Sequence, residues 1–301
     1  MRHLRTTFDI GDRATLQRLL GRAQELKRQR TERRLAPTLS GRVIGMLLEK
    51  PSTRTRVSFE AGAALLGATT IALQGRDTQL ATQVEGGEPL RDFARVLGGY
   101  VDALVVRPGT GHALVDEVAR HTGVPVVNGL SSVDHPCQVV TDLFTVFERR
   151  ERPFDVRWTF IGDNTAMANG LIALSAVAGI AVTIAAPTEA GLDPGVRARA
   201  RAANARVSVT NDPRAAVEGA DIISTAAWSG AAPADVVQRF QVNDALLSLA
   251  ADGHTVLHPL PAHRGHEITD DVIEGMHSVV FQAANNRLPV QQAILEWLLA
   301  A

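Results

Sequence analysis

The stretch Val43-Ile44-Gly45-Met46-Leu47-Leu48-Glu49-Lys50-Pro51-Ser52-Thr53-Arg54-Thr55-Arg56-Val57-Ser58-Phe59-Glu60 runs an apolar strand straight into a polar turn and a helix start. Pro51 and the hydroxyl residues behind it suit the first turn of a helix. The free N–H groups of that turn, the helix dipole and the hydroxyls of Ser52, Thr53 and Thr55 converge on one place. That place suits a phosphate, and Arg54 or Arg56 adds charge-assisted hydrogen bonds. An N-cap followed by a solvated basic turn also accounts for such a segment. Two arginines and three hydroxyls at a strand end favour the anion site, without naming the anion.

Working outward, the same unit repeats along the chain. Apolar runs at Val43 to Leu48, Thr69 to Leu73, Ala103 to Val106, Val124 to Val127, Trp158 to Ile161, Val182 to Ala185, Val207 to Val209, Ile222 to Ser224, Thr255 to Leu257 and Ser278 to Val280 read as strands. Helical segments lie between them, and such alternation predicts an α/β fold of parallel sheets with helices on both faces. Leu16, Leu19, Leu20, Ala23 and Leu26 recur at helical spacing, so an amphipathic helix precedes the first strand. The charged run from Glu148 to Pro153 is either a hinge or a solvated helix end. A division there separates residues 1–147 from residues 148–285, with a last helix over about 286–301 placed to pack back on the first part.

The 301 residues suffice for two domains, each burying its own core. A net charge of -1 leaves no overall basic field for nucleic acid or an anionic membrane, although 31 Lys and Arg residues leave room for a local anion site. With Cys137 as the only cysteine no intramolecular disulfide forms, which fits a reducing compartment. No apolar leader follows Met1 and no run approaches a membrane-spanning length, so the expected location is the cytoplasm.

Four further constellations carry chemistry. Arg107 closes the run Ala103 to Val106, at the carboxyl end of a strand, where open parallel sheets bind ligands; a surface residue closing a strand is the other reading. In Asp134-His135-Pro136-Cys137-Gln138 a histidine opens a helix, where the dipole disfavours imidazolium. A neutral imidazole can then donate to a carbonyl oxygen and polarise it, with Gln138 one turn on. Cys137 reads as a buried small residue. His258-Pro259-Leu260-Pro261-Ala262-His263-Arg264-Gly265-His266-Glu267 holds three histidines, but their spacing matches no standard zinc signature, and two prolines stiffen the backbone. No metal is expected there; a rigid loop presenting carbonyls to an amine fits better. Gly162-Asp163-Asn164 follows a strand, yet the Gly-x-Gly-x-x-Gly fingerprint is absent, so no nicotinamide cofactor is expected.

Together these pieces resemble the aspartate/ornithine carbamoyltransferase family over nearly the whole chain. The resemblance rests on Pro51 to Glu60, Asp77-Thr78-Gln79-Leu80, Tyr100-Val101-Asp102-Ala103, Arg107, His135 to Gln138, Phe160-Ile161-Gly162-Asp163, His258 to Gly265 and Asn286-Arg287-Leu288, in that order. It implies two Rossmann-like domains, residues 1–147 holding carbamoyl phosphate and residues 148–285 the amine. It implies that Ser52, Thr53, Arg54 and Thr55 bind the phosphate, and that Arg54, Arg107, His135, Gln138 and Arg287 are the catalytic set around the carbamoyl group. His258, Pro259, Leu260 and Trp228 are then substrate-binding. It further implies a homotrimer in which Gln79 reaches a neighbour's phosphate, and direct attack of a neutral amine without cofactor or metal.

The acceptor side departs from the family. Ornithine enzymes carry an aspartate and a Ser-Met-Gly segment that grip the amino acid; here the stretch reads Ser224-Thr225-Ala226-Ala227-Trp228-Ser229-Gly230. Asn164-Thr165-Ala166-Met167 stands where they have Asn-Asn-Met. His258-Pro259-Leu260-Pro261 is the aspartate branch's form of His-Cys-Leu-Pro, yet that branch's second-domain arginine segment is missing. The loop from Ala81 to Glu88 is longer than usual. Each lost contact to a charged amino-acid group costs about 1.5–3 kcal/mol. The expected acceptor is therefore an ornithine-like or specialised amine, the alternatives being ornithine itself or a non-catalytic relative that binds carbamoyl phosphate.

Overall fold

The computed structural model describes residues 1–80, 85–109, 111–163, 165–188, 191–228 and 233–300. The chain divides into two compact units, residues 1–140 with 287–301, and residues 141–286. The expected boundaries at 147/148 and 285/286 lie a few residues away, because the division falls inside two helices.

In the first unit α1 (Arg13–Thr31) leads into β1 (Val43–Leu48), α2 (Thr53–Leu65), β2 (Thr69–Gln74), α3 (Leu90–Gly98), β3 (Ala103–Arg107), α4 (Ala113–His121), β4 (Val126–Asn128) and the start of α5 (Pro136–Phe147). Helix α1 starts where the Asp12 carboxylate accepts from Thr15 N–H at 2.7 Å. Its buried residues are Leu16, Leu19, Leu20, Ala23 and Leu26, the stripe its spacing predicts. The four strands are parallel in the order β2-β1-β3-β4. Central β1 buries Ile44 to Leu48 almost completely, as a strand covered on both faces must. From β1 the chain moves outward to β2, then returns past β1 to β3. The direction of winding thus reverses between β1 and β3, and the crevice at their carboxyl ends is the ligand position of such a sheet.

The second unit continues α5 into β5 (Arg157–Ile161), α6 (Thr165–Ala178), β6 (Ala181–Ala185), α7 (Pro194–Ala202), β7 (Val207–Thr210), α8 (Pro213–Val217), β8 (Ile222–Thr225), α9 (Ala234–Phe240), α10 (Asp244–Leu247), β9 (Thr255–Leu257), α11 (Asp270–Glu274) and α12 (Val280–Leu299). Its five parallel strands run β7-β6-β5-β8-β9, so winding reverses between β5 and β8. Phe240, Val242, Ile268 and Ile273 pack with Ile223 and Val256 in its core. Thr159 and Thr225 fit inside because their hydroxyls donate to Ala216 O at 2.6 Å and Ile161 O at 2.7 Å.

Both sheets are the parallel α/β layers that the alternation predicts. One strand is corrected: Ser278 makes a single bridge to Val256, and Val280 already opens α12. The last helix also begins earlier than expected, at Val280, and runs through Pro289. Proline is tolerated inside a helix only at a stability cost that surrounding packing must offset. The Ala81–Glu88 loop expectation lies in part outside the described residues, as do Asn164, Ser229 and Gly230. No described helix is long and apolar enough to cross a membrane.

Candidate active site

The first unit gathers its polar side chains at the β1/β3 crevice. Ser52 sits at the N-cap of α2 and makes no side-chain capping bond, so its hydroxyl is not consumed by the helix. Thr53 is exposed, Arg54 partly buried and Thr55 buried. Arg56 turns outward and pairs with Glu60 one turn on, at 3.0 Å. Of the two arginines the sequence offered, Arg54 is therefore the one directed into the crevice.

Arg107, the last residue of β3, donates from Nη1 to Gly129 O at 3.2 Å, and its buried Nε finds no partner among the described residues. Burial lowers the guanidinium's pKa, and the nearby Arg54 lowers it further. Arg287, buried, donates from Nη2 to Thr55 Oγ1 at 3.0 Å and from Nη1 to Gln138 Oε1. Thr55, Gln138 and Arg287, which are remote in sequence, thus form one hydrogen-bonded set.

His135 stands at the N-terminus of α5, where its carbonyl accepts from Gln138 and Val139 N–H, each at 3.0 Å. The imidazole is buried, and its Nδ1 has no partner among the described residues. Burial first, then Arg287, Arg107 and Arg54, hold its pKa well below the ordinary value of 6.5. The ring is neutral at physiological pH and lies within the field of three guanidinium groups. No described carboxylate offsets Arg54 or Arg107. Such a concentration of buried positive charge calls for an anion.

The loop carrying His135 is pinned from below. Asn128 Nδ2 donates to Arg5 O, Ser131 Oγ and Asp134 O at 2.8, 3.0 and 3.1 Å. Thr7 donates its N–H and hydroxyl to Asp134 at 2.6 and 3.1 Å. Sequence reasoning missed Thr7 and Asn128, because nothing local ties them to His135. Burial raises the Asp134 carboxyl from 3.8 to about 7, against the lowering effect of Thr7. Between those values the folded chain keeps a proton that the unfolded chain has lost, so this group's contribution to stability falls as pH rises and levels off above about 7. The slope is at most about 1.4 kcal/mol per pH unit. In urea melts between pH 4 and 8, Asp134→Asn is expected to remove that component. A wild-type minus variant difference that does not change with pH would refute it.

Cys137 is buried against Asn128 O, and burial pushes its thiol up to about 12, so it is no nucleophile. Gln79 is exposed beyond β2 and is not among the contacts of this cluster.

In the second unit the β5/β8 reversal is occupied by Trp228. A Cβ on Gly162 (φ +122°) would lie 2.4 Å from Trp228 Nε1, so only glycine lets the indole settle there. The stretch leaving β8 brings Ala226, Ala227 and Trp228, with no charged side chain. His258 follows β9, but its side chain faces inward. Its Nδ1 accepts from Leu260 N–H at 2.8 Å and its Nε2 lies 3.0 Å from Glu267 Oε1. The His258 side chain therefore folds the loop, leaving the main chain for a ligand. Pro259 and Leu260 are both partly buried. Arg264 is engaged by Asp270 and Glu274 at 2.5 and 2.7 Å.

Two wound parallel sheets, the first with an arginine-rich crevice around a neutral histidine, suit a class of enzymes that bind an anionic, phosphorylated substrate. The comparisons make that class specific. The profile described as aspartate/ornithine carbamoyltransferase, carbamoyl-P binding domain, matches residues 2–148, and the one described as its Asp/Orn binding domain matches residues 155–298. An ornithine carbamoyltransferase of Archaeoglobus fulgidus is 39% identical over 99% of this chain and 98% of that protein. One from Halorhodospira halophila is 41% identical over 99% of each chain. The solved ornithine carbamoyltransferase of Pyrococcus furiosus superposes with a TM-score of 0.91 at 34% identity, covering 100% of this chain and 97% of that one. The chain belongs to the aspartate/ornithine carbamoyltransferase family, and it is a carbamoyltransferase.

Proposed function

We propose that the first unit holds carbamoyl phosphate and the second an amine less charged than ornithine, ornithine-like in build, and that the carbamoyl group passes directly from donor to amine. Ser52, Thr53, Arg54 and Thr55 take the phosphate with the N–H groups opening α2. Arg107, His135, Gln138 and Arg287 take the carbamoyl end. The amine lone pair attacks the carbonyl carbon, and the oxygen gains negative charge that His135 and the guanidinium groups stabilise. The carbon–oxygen bond to phosphate then breaks, phosphate leaving with the electron pair, while the nitrogen gives up its proton to phosphate or water. No covalent enzyme intermediate is needed, since holding two small reactants in line supplies much of the rate. A homotrimer in which Gln79 reaches a neighbouring phosphate belongs to the same reading, and the exposed position of Gln79 is compatible with it.

The acceptor reading rests on one observation: the β8 exit at the sheet reversal is Ala226-Ala227-Trp228, where an amino acid with two charged groups needs a charged or hydrogen-bonding grip. Ornithine itself is the second reading, favoured by the names of the relatives. A panel of amines offered with carbamoyl phosphate separates them, read by phosphate release and product mass. An uncharged-tail or shorter diamine is expected to turn over at least about tenfold faster than ornithine, the size of effect one lost contact to a charged group brings. Ornithine as the best acceptor would overturn the remodelled site.

A further inference from the structure

The loop from His258 to Ile268 places three chemistry-bearing side chains together that the donor and acceptor residues leave unused. Its turn is closed by His266 N–H donating to His263 O and Gly265 N–H donating to Ile268 O, each at 2.8 Å. Residues 263, 266 and 267 thereby meet at a spacing that no helix-borne zinc signature uses. One ligating atom from each of His263, His266 and Glu267 lies within 4.8 Å of the others.

Glu267 decides what the cluster is for. Its side chain is 0% exposed. Since His258 Nδ1 accepts from Leu260 N–H, the proton of a neutral His258 sits on Nε2 and is donated to Glu267 Oε1. His263 N–H donates to the same oxygen at 2.7 Å. The second oxygen, Oε2, is buried and receives no hydrogen bond among the described residues. It faces His266 Nδ1 at 3.6 Å and His263 Nδ1 at 3.9 Å. The buried His266 Nδ1 likewise has no hydrogen-bond partner. Two imidazole nitrogens and a carboxylate oxygen thus gather at one place. The two distances from Glu267 Oε2 are about 0.3 and 0.6 Å wider than the roughly 3.3 Å between tetrahedral ligands bound at about 2.0–2.1 Å, and the whole set lies within 4.8 Å. His263, 61% exposed, has room to close the difference and leaves the spot open to solvent. Arg264, the nearest cation in sequence, is already engaged by Asp270 and Glu274.

We propose that His263, His266 and Glu267 bind a divalent transition-metal cation of the zinc class, with a solvent molecule as fourth ligand. Two nitrogens and one oxygen suit zinc better than magnesium or calcium, which prefer oxygen alone. His258 and the His263 N–H supply the outer contacts that orient the carboxylate. The ion does no carbamoyl chemistry. It cross-links the loop after β9 and fixes the imidazole of His266, whose ring packs edge-on against Trp228 with centroids 4.9 Å apart.

The test uses tag-free, full-length protein stripped with a chelator and titrated with zinc chloride by calorimetry. Cobalt(II) serves as a second probe, read by its visible absorption. One equivalent of zinc per chain is expected. His263→Gln and His266→Gln should each weaken it by about tenfold or more, while melting of the metal-free variants stays at the wild-type temperature. His254→Gln, in the other imidazole pair of this unit, should bind as wild type. No stoichiometric zinc binding by the wild type overturns the site and leaves a histidine–carboxylate contact in its place. So does binding that both variants retain, or that only His254→Gln loses.

Discussion

Arg54→Ala will weaken carbamoyl phosphate binding by about a hundredfold to ten-thousandfold. A guanidinium makes two charge-assisted hydrogen bonds to a phosphate, and each contributes about 1.5–3 kcal/mol. Arg54 is the arginine of the α2 turn that is not tied to a carboxylate, whereas Arg56 pairs with Glu60. Arg56→Ala therefore serves as the internal control, with a loss of no more than a few fold. Equilibrium binding of carbamoyl phosphate to both variants, measured at fixed salt, decides the matter. Equal losses would remove Arg54 from the donor site and return the turn to an ordinary basic cap. Fold integrity is not at issue for Arg54, which is only partly buried and packs at a helix N-terminus.

His135→Ala will lower kcat by about a hundredfold to a thousandfold while changing donor affinity much less. Removing one donor to a developing oxyanion costs this much in acyl-transfer sites. His135 differs from a general base in its protonation: burial and three guanidiniums hold it neutral, with its pKa well below 6.5. Wild-type kcat should accordingly show no acid limb from this residue near its ordinary value. His135→Gln, which keeps an N–H donor, should recover part of the loss. An acid limb near pH 6.5 that vanishes in His135→Ala would instead make the residue a base.

The sheets were legible in the sequence because parallel strands buried on both faces must be apolar runs, and nine of the ten runs are strands. The tenth, Ser278 to Val280, failed, since a β-branched pair at the start of a helix looks like a short strand. The buried stripe of helix α1 was legible to the residue, because it is periodic. That Arg54, Arg107, His135, Gln138 and Arg287 are residues of one anion-binding type was legible, but the wiring that joins them was not. The contacts of Arg287 with Thr55 and Gln138, and of Thr7 with Asp134, join segments with no local pattern in common. His258 shows the same limit: only the fold reveals Glu267, nine residues on, as the partner of its ring.

The bond from Arg287 to Thr55 spans 232 positions, and that to Gln138 spans 149. During synthesis, the first unit can lay down all four strands long before residue 287 leaves the ribosome. Its anion pocket nevertheless stays incomplete until the C-terminal segment returns. Contacts so distant in sequence form late, since loop closure must precede them. A nascent chain is thus structured before it is competent, and capture of the donor is deferred until nearly the whole polypeptide exists.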